Sequence, residues 1–508
     1  MRMSAELSQD RRALLLSGPQ HYDATRPLTC GARRFMEKLD SLGIAIVSRI
    51  FQNLGFSTYW AEMRPGMVSN LDNLIGEFPL VAISSRFFDT YLAQEAVKIA
   101  CGKDKITLVG GYGPTFSPEN FDKADIVVQG ECETVLPEAI DDLLSGRAKH
   151  IYDSRKSPPL DLKKSYIWPD RSIFPADTGL SRRFKKHPQE WQRGCSNYCT
   201  FCSPTRLQRI QMENGRRQVR VRSVDDIIKE IAEGMKLGRG DRLFSVDLNS
   251  SAIPTEEQKE LYGWLKQKGI KWYTEGTIAP LLKDYDLNGE DNCLLKVMSP
   301  LGEGGGCYSF LYGADDLAVQ KVPGSSDKEI GILQKAKIIF KEFGIPLNLS
   351  IVVGLDEHIW PDTFYRYASL LEEVRVPYAF IHLATPYPGT VWGDEVAREG
   401  RIFDTKTLNY NHRTAVSTPG SMSTEELQQG YYWLMRHLNS VPELAKTTKD
   451  NLDPKIAGTN PELALVLSGL PWGIETHLSV LELAARGYID LKKQREMDDG
   501  FKAWQSRP

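Results

Sequence analysis

Three cysteines lie close together in the segment QRGCSNYCTFCSP, where Cys195, Cys199 and Cys202 have the spacing C-x3-C-x2-C. Spacings this short bring three thiolates within reach of one soft metal centre. A structural zinc site would need a fourth ligand, and the nearest histidine, His187, lies upstream of the motif. Three thiolates on a four-iron cluster leave one iron open for a ligand. The residues therefore favour an iron–sulfur cluster, with structural zinc and a redox disulfide or unligated cysteines as alternatives.

The elements that precede the cysteines must help to position them. Residues 12–152 alternate short apolar runs with amphipathic stretches, and one of these stretches predicts a helix around residues 35–54. This pattern is typical of a parallel, doubly wound sheet, so the first domain is predicted to be Rossmann-like over residues 1–152. Ligands of such sheets bind at the carboxyl ends of the strands, where small residues let a bulky cofactor approach the backbone. The candidate residues at these ends are Ser17, Gly18, Ser84, Ser85, Gly110, Gly111, Gly130 and Glu131.

The cysteine segment opens a second α/β domain. Residues 153–190 are rich in Pro, Lys, Arg and Ser without sustained periodicity, which predicts a linker. Strand and helix patterns then alternate over residues 191–390, which is the rhythm of a full or partial (β/α) barrel of the TIM type. Residues 391–508 are predicted to form a mainly helical accessory region.

The composition excludes several classes of protein. The 63 Lys+Arg and 66 Asp+Glu residues give a net charge of -3, so no overall field attracts nucleic acid or anionic lipid. No apolar run approaches the roughly 18 residues that cross a bilayer, and the start of the chain lacks the apolar core of a signal peptide. We therefore expect a cytoplasmic protein that binds neither nucleic acid nor a membrane.

The cysteine motif, with an aromatic residue, Phe201, before its last cysteine, resembles the signature of the radical S-adenosylmethionine (SAM) superfamily. The resemblance implies a [4Fe-4S] cluster whose open iron binds SAM, and cleavage of SAM to a 5′-deoxyadenosyl radical. It also implies that Phe201 contacts SAM. SIVVGLDE (350–357) is similar to the element G-x-I-x-G-x-x-E that supports the adenine in this superfamily, with Ser in place of the first Gly. Its candidate SAM-binding residues are Ser350, Val352, Gly354 and Glu357.

Two further strand ends are candidates for contacts with SAM. YGADD (312–316) resembles the superfamily's Gly-x-Glu-Ser segment, although Asp315 and Asp316 replace Glu and Ser. Asp247 and Asn249 follow a predicted strand and have the polar groups that SAM requires. Their alternative role is to cap the turn that follows.

Three segments together resemble radical SAM proteins that carry an N-terminal cobalamin-binding domain: VGGYGPTFSPE (109–119), VQGECET (128–134) and TPYPGT (385–390). The resemblance implies that cobalamin is a cofactor and adds Tyr112 to its candidate contacts. Many cobalamin proteins bind cobalt through the histidine of a D-x-H-x-x-G motif, which this sequence lacks, as members of the radical SAM subgroup often do. His21 lies in the corresponding loop and is either a cobalt ligand or an ordinary loop residue. A domain that no longer binds cobalamin is the alternative.

The combined resemblance implies a cobalamin-dependent radical SAM methyltransferase that methylates an unactivated carbon of a small molecule or peptide. Such an enzyme needs a reductant such as flavodoxin or ferredoxin. Two other classes stay open: a radical SAM enzyme of another outcome, and a non-catalytic protein stabilised by a metal. Substrate contact is a hypothesis for four strand-end residues, whose ordinary role would be packing: Tyr273, Glu275, His382 and Tyr387.

Overall fold

Two six-stranded parallel sheets organise the chain. The computed structural model describes residues 7, 9–18, 39–66, 68–175, 185–197, 199–210, 219–239, 241–302, 304–315 and 325–506. The strands of the first sheet are β1 (Arg12–Ser17), β2 (Ser57–Glu62), β3 (Leu80–Ser84), β4 (Ile106–Gly110), β5 (Ile126–Gln129) and β6 (Ile151–Asp153). Their order is β2-β1-β3-β4-β5-β6. The chain changes direction across the sheet between β1 and β3, and such a switch point is where open α/β sheets bind ligands.

Both faces of the first sheet are buried, which explains the continuous apolar strands. Ala13 and Leu15 of β1 contact one layer of helices, and Leu14 and Leu16 contact the other. The helices of this half are Leu42–Asn53, Asp72–Gly76, Thr90–Cys101, Tyr112–Phe116 and Cys132–Leu144. The helix predicted around 35–54 therefore begins only at Leu42 in the described chain.

The second sheet has the order β14-β13-β12-β11-β10-β7. Its strands are β7 (His187–Gln189), β10 (Arg242–Ser245), β11 (Lys271–Glu275), β12 (Gly306–Gly313), β13 (Leu347–Val353) and β14 (Ala379–Leu383). A small antiparallel pair, β8 (Gln192–Arg193) and β9 (Arg220–Val221), stands beside it. The helices around this sheet are Ser203–Ile210, Val224–Lys236, Thr255–Gln267, Ile278–Asn292, Leu294–Met298, Ser325–Glu342 and Asp362–Val374.

One boundary differs from the sequence prediction. β7 lies inside residues 153–190, which the composition had indicated to be a linker, so the second sheet begins before residue 191. The strand has only three residues and includes Pro188, and it pairs with β10 alone. An edge strand tolerates proline because one side needs no hydrogen bonds, and so short a strand has no apolar run to reveal it. The short helix Leu162–Ser165 also lies in this region.

The region after residue 390 is mainly helical, as predicted. Its helices are Val391–Arg398, Thr424–Leu438, Val441–Asn451, Pro454–Thr459, Pro461–Leu467, Leu470–Ala485 and Leu491–Gln505. The helix Thr424–Leu438 begins at a capping box, in which Ser423 and Glu426 each satisfy the other's backbone N–H. Within the described ranges, no helix is both long and apolar enough to cross a membrane.

The helix Pro461–Leu467 packs against one face of the second sheet. Leu463 and Leu467 contact Tyr273 and Tyr308 there, and we call this side the inner face. The opposite face, which includes Trp272, packs against the surrounding helices. The inner face is therefore partly filled by the C-terminal region.

Candidate functional site

A cavity of about 320 Å³ lies between the carboxyl edge of the first sheet and the cysteine segment. Gly194, immediately before Cys195, lines it, and so do Pro204 and Leu207 on the helix that follows Cys202. The first sheet contributes six predicted cofactor residues: Ser84, Gly110, Gly111, Tyr112, Gly130 and Glu131. Tertiary structure thus brings together two groups of residues that are about 60 positions or more apart in the sequence.

The walls of this cavity are largely apolar on the side of the first sheet. Ile46 and Val47 of the helix Leu42–Asn53 contribute, together with Leu108 and Val128 from the strands. Pockets of this character, apolar with a few polar groups, are typical of cofactor sites. A large flat cofactor with polar edges fits such walls.

Three of the predicted cobalamin residues lie behind the cavity wall. The Ser17 hydroxyl accepts a hydrogen bond from Trp60 Nε1 at 3.1 Å. The buried Ser85 hydroxyl donates to the backbone carbonyl of Arg86 at 3.0 Å. A side chain at Gly18 would collide with Asp89. These three residues shape the strand ends but do not line the cavity.

Gly111 is required by the fold itself. Its φ is +109°, and a Cβ there would lie 2.5 Å from the carbonyl oxygen of Ser85. Gly110 has ordinary φ, and its Cβ would contact Val128 at 3.6 Å. Gly111 therefore makes room for the neighbouring backbone, and both glycines line the cavity, so their contact with a cofactor stays a prediction.

The cysteine segment runs from β8 to the helix Ser203–Ile210. Cys195 is buried, and its sulfur accepts a hydrogen bond from the N–H of Asn197 at 3.4 Å. Within the described chain, no three His, Cys, Asp or Glu side chains are arranged as a ready metal site. Metal binding itself commonly draws its ligands together. Three thiolates in one short loop have the donor chemistry of a cluster site with an open iron.

Phe201 joins the cysteine segment to the end of β13. It packs with Val352, Leu355 and Trp392 in one apolar cluster. The N–H of Trp392 also donates to the carbonyl of Thr200 at 3.1 Å. Two predicted SAM contacts, Phe201 and Val352, therefore pack against the same apolar cluster.

The ends of β12 and β13 are tied by hydrogen bonds. Asp315 Oδ1 accepts from the N–H of Val352 at 2.8 Å, and the carbonyl of Ser350 accepts from the N–H of Ala314 at 2.8 Å. The strand ends that carry Asp315, Ser350 and Val352 are thus held in fixed register. Asp316 lies outside the described residues.

Gly354 and Glu357 occupy the turn after β13. Gly354 has a φ of +94°, and a Cβ there would lie 2.7 Å from Leu427. Its N–H donates to Nδ1 of His358 at 2.9 Å. Glu357 is exposed. The turn therefore has the close backbone approach expected of the predicted element, while Glu357 faces solvent.

Asp247 and Asn249 are engaged by the protein. Asp247 Oδ1 accepts from the N–H groups of Trp191 and Gln192 at 2.8 and 2.9 Å, and Oδ2 accepts from the Ser245 hydroxyl at 2.6 Å. Burial raises the pKa of Asp247 to about 7, although these hydrogen bonds act in the opposite direction. Asn249 Oδ1 accepts from the N–H of Thr277 at 3.2 Å. Both side chains therefore have structural partners on neighbouring segments, and neither caps the turn that follows.

A group of charged side chains on the cavity wall joins the two halves. Arg193 contacts Glu133 at 2.5 Å, Glu190 at 2.9 Å and Glu131 at 3.2 Å. Arg220 forms a second ion pair with Glu131. Desolvation acts to raise the pKa of Glu131, but the hydrogen bond from Arg220 and the charge of Arg193 outweigh it and lower the pKa overall. We call these five residues the interface charge cluster.

Sequence reasoning identified only Glu131 of this cluster. A signal was present, because Arg193 directly precedes the cysteine motif and Glu133 lies in the segment VQGECET. If the predicted cobalamin site and the predicted cluster site act together, they must face each other. Charged residues beside the two sites, such as Glu133 and Arg193, would then come into contact. Nothing in the sequence indicates which charges pair.

The four hypothetical substrate contacts have different surroundings. Tyr273 packs under the helix Pro461–Leu467. The Tyr387 hydroxyl donates to the carbonyl of Tyr410 at 2.8 Å, and its ring contacts Phe87 of the first half. His382 contacts the ring of His412, and the fourth residue, Glu275, ends β11. The loop that contains His21 lies outside the described residues.

Comparison with known proteins places the chain beside methyltransferases. Bacteriochlorophyllide d C-12(1)-methyltransferase of Chlorobaculum tepidum is 24% identical over 372 residues, which cover 71% of this chain and 75% of the relative. No protein-family model matches the chain.

Two solved structures share the fold over almost the whole chain. The radical SAM methyltransferase TsrM of Kitasatospora setae, solved with cobalamin and a [4Fe-4S] cluster, has a TM-score of 0.57 at 14% identity and covers 96% of this chain and 100% of its own. The cobalamin-dependent radical SAM enzyme OxsB, solved with aqua-cobalamin, has a TM-score of 0.58 at 14% identity. The match covers 98% of this chain and 76% of the OxsB chain. The resemblance predicted from the sequence motifs is confirmed.

Proposed function

We propose that this chain, which resembles cobalamin-dependent radical SAM methyltransferases in sequence and fold, methylates a carbon of a small molecule or peptide. In this proposal the first sheet holds cobalamin and the second sheet holds SAM beside a [4Fe-4S] cluster on Cys195, Cys199 and Cys202. The cluster and SAM would supply radical chemistry, and cobalamin would supply the methyl group.

The cavity between the two halves is the observation that carries the proposal. Its walls include the carboxyl edge of the first sheet and two residues on either side of the three cysteines, Gly194 and Pro204. A cofactor lying on that edge would face the cluster loop directly. Methyl transfer requires such a short approach, because reacting groups must be held in contact.

The chain's own residues would bind, orient and exclude water. The apolar side chains of Ile46, Leu108 and Val128 line the cavity and would keep water away from a bound cofactor. The interface charge cluster provides fixed polar groups at its edge. The hydrogen bond between Asp315 and Val352 fixes the strand ends where SAM would lie. Preorganised groups of this kind reduce the entropy cost of bringing reactants together.

Anaerobic reconstitution tests the proposal. The protein is treated with iron, sulfide and hydroxocobalamin and then desalted, and iron and cobalt are quantified on one sample with an absorption spectrum. We expect about four irons and one cobalt per chain, the stoichiometry of one cluster and one cobalamin. Four irons without cobalt would instead favour the alternative of radical SAM chemistry of another outcome.

The variant Cys199→Ala tests the cluster assignment. Two remaining thiolates cannot hold the cluster, so we expect the variant to lose its iron and all cleavage of SAM to 5′-deoxyadenosine. The matched control is Cys101→Ala, because Cys101 is exposed and lies in the first half. Iron and SAM cleavage retained in Cys199→Ala would contradict the assignment.

A further inference from the structure

Glu275 ends β11 at the carboxyl edge of the second sheet. Successive residues of a strand point to opposite faces. Trp272 stacks on Tyr262 of the surrounding helices at 5.2 Å, whereas Tyr273 packs on the inner face against Leu463 and Leu467. Glu275 is two residues beyond Tyr273, so its side chain belongs to the inner face.

The carboxylate of Glu275 has no hydrogen bond or ion pair with any described residue. Its backbone carbonyl accepts from the Ser250 hydroxyl at 2.7 Å, but the side chain is unpaired. Burial raises the pKa of Glu275 to about 8, and the negative charge of Asp247 on the adjoining strand end adds to the effect. The side chain is half-buried, and partly desolvated carboxyl groups with a raised pKa concentrate at functional sites.

Strand order places Glu275 between the two ends of the proposed SAM site. The cysteine segment lies at the β7 edge of the sheet, and the adenine-supporting element lies at the end of β13. SAM held at the cluster by its amino and carboxylate groups, with its adenine at β13, must cross the ends of β10, β11 and β12. The sulfonium, which joins the two parts of SAM, then lies over the middle of the sheet.

We infer that Glu275 faces the sulfonium of SAM and supplies the negative charge that recognises it. This inference rests on the proposed function and adds to it a SAM-specificity residue. The sulfonium is a permanent cation, and a cation in contact with a carboxyl group favours its ionised form. Binding of SAM and loss of the Glu275 proton would therefore occur together. A ligand with a neutral thioether at that position gains nothing from the charge.

The test compares SAM with S-adenosylhomocysteine, whose sulfur is uncharged. Dissociation constants of both are measured by anaerobic equilibrium dialysis on the reconstituted protein and on Glu275→Gln. We expect the variant to bind SAM about tenfold more weakly, the range of one charge-assisted contact, and to bind S-adenosylhomocysteine as before. Glu275→Asp, which keeps the charge, should recover part of the preference for SAM.

The matched control is Glu256→Gln on the helix Thr255–Gln267, where the side chain is 85% exposed. It should leave both dissociation constants unchanged. The inference would be overturned if Glu275→Gln weakened the binding of both ligands equally, or if its dissociation constant for SAM were unchanged. In either case the iron content and SAM cleavage of the parent protein would still support the proposed function. A parent protein that binds neither iron nor SAM would overturn both.

Discussion

Asp247 illustrates how a polar residue at a strand end can serve the fold. One of its carboxylate oxygens accepts two backbone N–H groups, from Trp191 and Gln192, just before the cysteine segment. The side chain is 1% exposed, so water cannot replace it. Asp247 therefore fixes the direction in which the chain enters the cluster loop.

Replacing Asp247 separates this role from its charge. Asp247→Ala leaves two buried N–H groups unsatisfied and should lower the free energy of unfolding by about 2–4 kcal/mol. Asp247→Asn keeps an acceptor oxygen and should lose less than about 1 kcal/mol. Chemical denaturation at pH 6 measures both. A loss in Asp247→Asn as large as that in Asp247→Ala would show that the charge matters more than the hydrogen bonds.

The pH dependence of the same variant has a definite sign. Burial raises the pKa of Asp247 from 3.8 to about 7, so the folded protein holds the proton more tightly than the unfolded chain. Its contribution to stability is therefore complete below pH 4 and is lost as the pH rises to about 7. The stability of Asp247→Asn relative to the parent should increase between pH 4 and pH 7. A constant difference would contradict the raised pKa.

At the level of elements, the carboxyl end of β3 forms part of the cavity wall. Ser84 is partly buried there and lines the cavity, whereas its neighbour Ser85 is enclosed by the backbone of the next loop. A shift of one position along the chain thus decides whether a side chain lines the cavity or is buried inside the protein.

Filling the cavity from this strand should block cobalamin alone. We expect Ser84→Trp to reduce bound cobalt by about tenfold or more, because an indole occupies space that the cofactor needs, while iron stays near the parent value. The control is Ser57→Trp, at the exposed amino end of the edge strand β2. Metal analysis after reconstitution distinguishes the two elements. Cobalt equal to the parent in Ser84→Trp would remove the cavity from consideration as the cobalamin site.

At the scale of the whole molecule, the interface charge cluster bridges the first sheet and the cysteine segment. Arg193 is nearly enclosed by three carboxylates, and their charges raise its pKa despite the opposing effect of burial. A buried ion pair adds little net stability by itself, but removal of one partner leaves uncompensated charge. The cluster therefore specifies how the two halves fit together more than it strengthens them.

Arg193→Ala should lower the free energy of unfolding by about 3–5 kcal/mol at pH 7. Arg12→Ala, which breaks an exposed pair with Asp10, should leave it nearly unchanged. The pKa of Glu131 is lowered in the fold, so its ion pairs stabilise above its ordinary value of 4.5 and are lost as the pH falls through the lowered pKa. Thermal unfolding followed from pH 7 to pH 3 should show the difference in stability between Arg193→Ala and the parent becoming smaller below about pH 4.5. Equal effects of the two variants would contradict the role of the cluster.

Sequence and structure agree best where the signal is local. The apolar strands β3 to β5 and the helical region after residue 390 are both read directly from short stretches of sequence. Agreement fails at β7, whose three residues carry no pattern, and at the start of the helix Leu42–Asn53. The roles of the three cysteines and of the SAM and cobalamin contacts stay predictions. The structure nevertheless brings most of these residues to two neighbouring sets of strand ends.

The sequence by itself predicted the class of chemistry, because residue type and spacing decide which cofactors three cysteines and the glycines at strand ends can serve. Only the tertiary structure decided how these parts meet. It turned Asp247 towards the backbone, left the Glu275 carboxyl group without a partner among the described residues, and enclosed Arg193 between carboxylates from both halves. The physical reason is that the partner of a buried polar group is chosen by packing between distant segments, and no local pattern of residues records that choice.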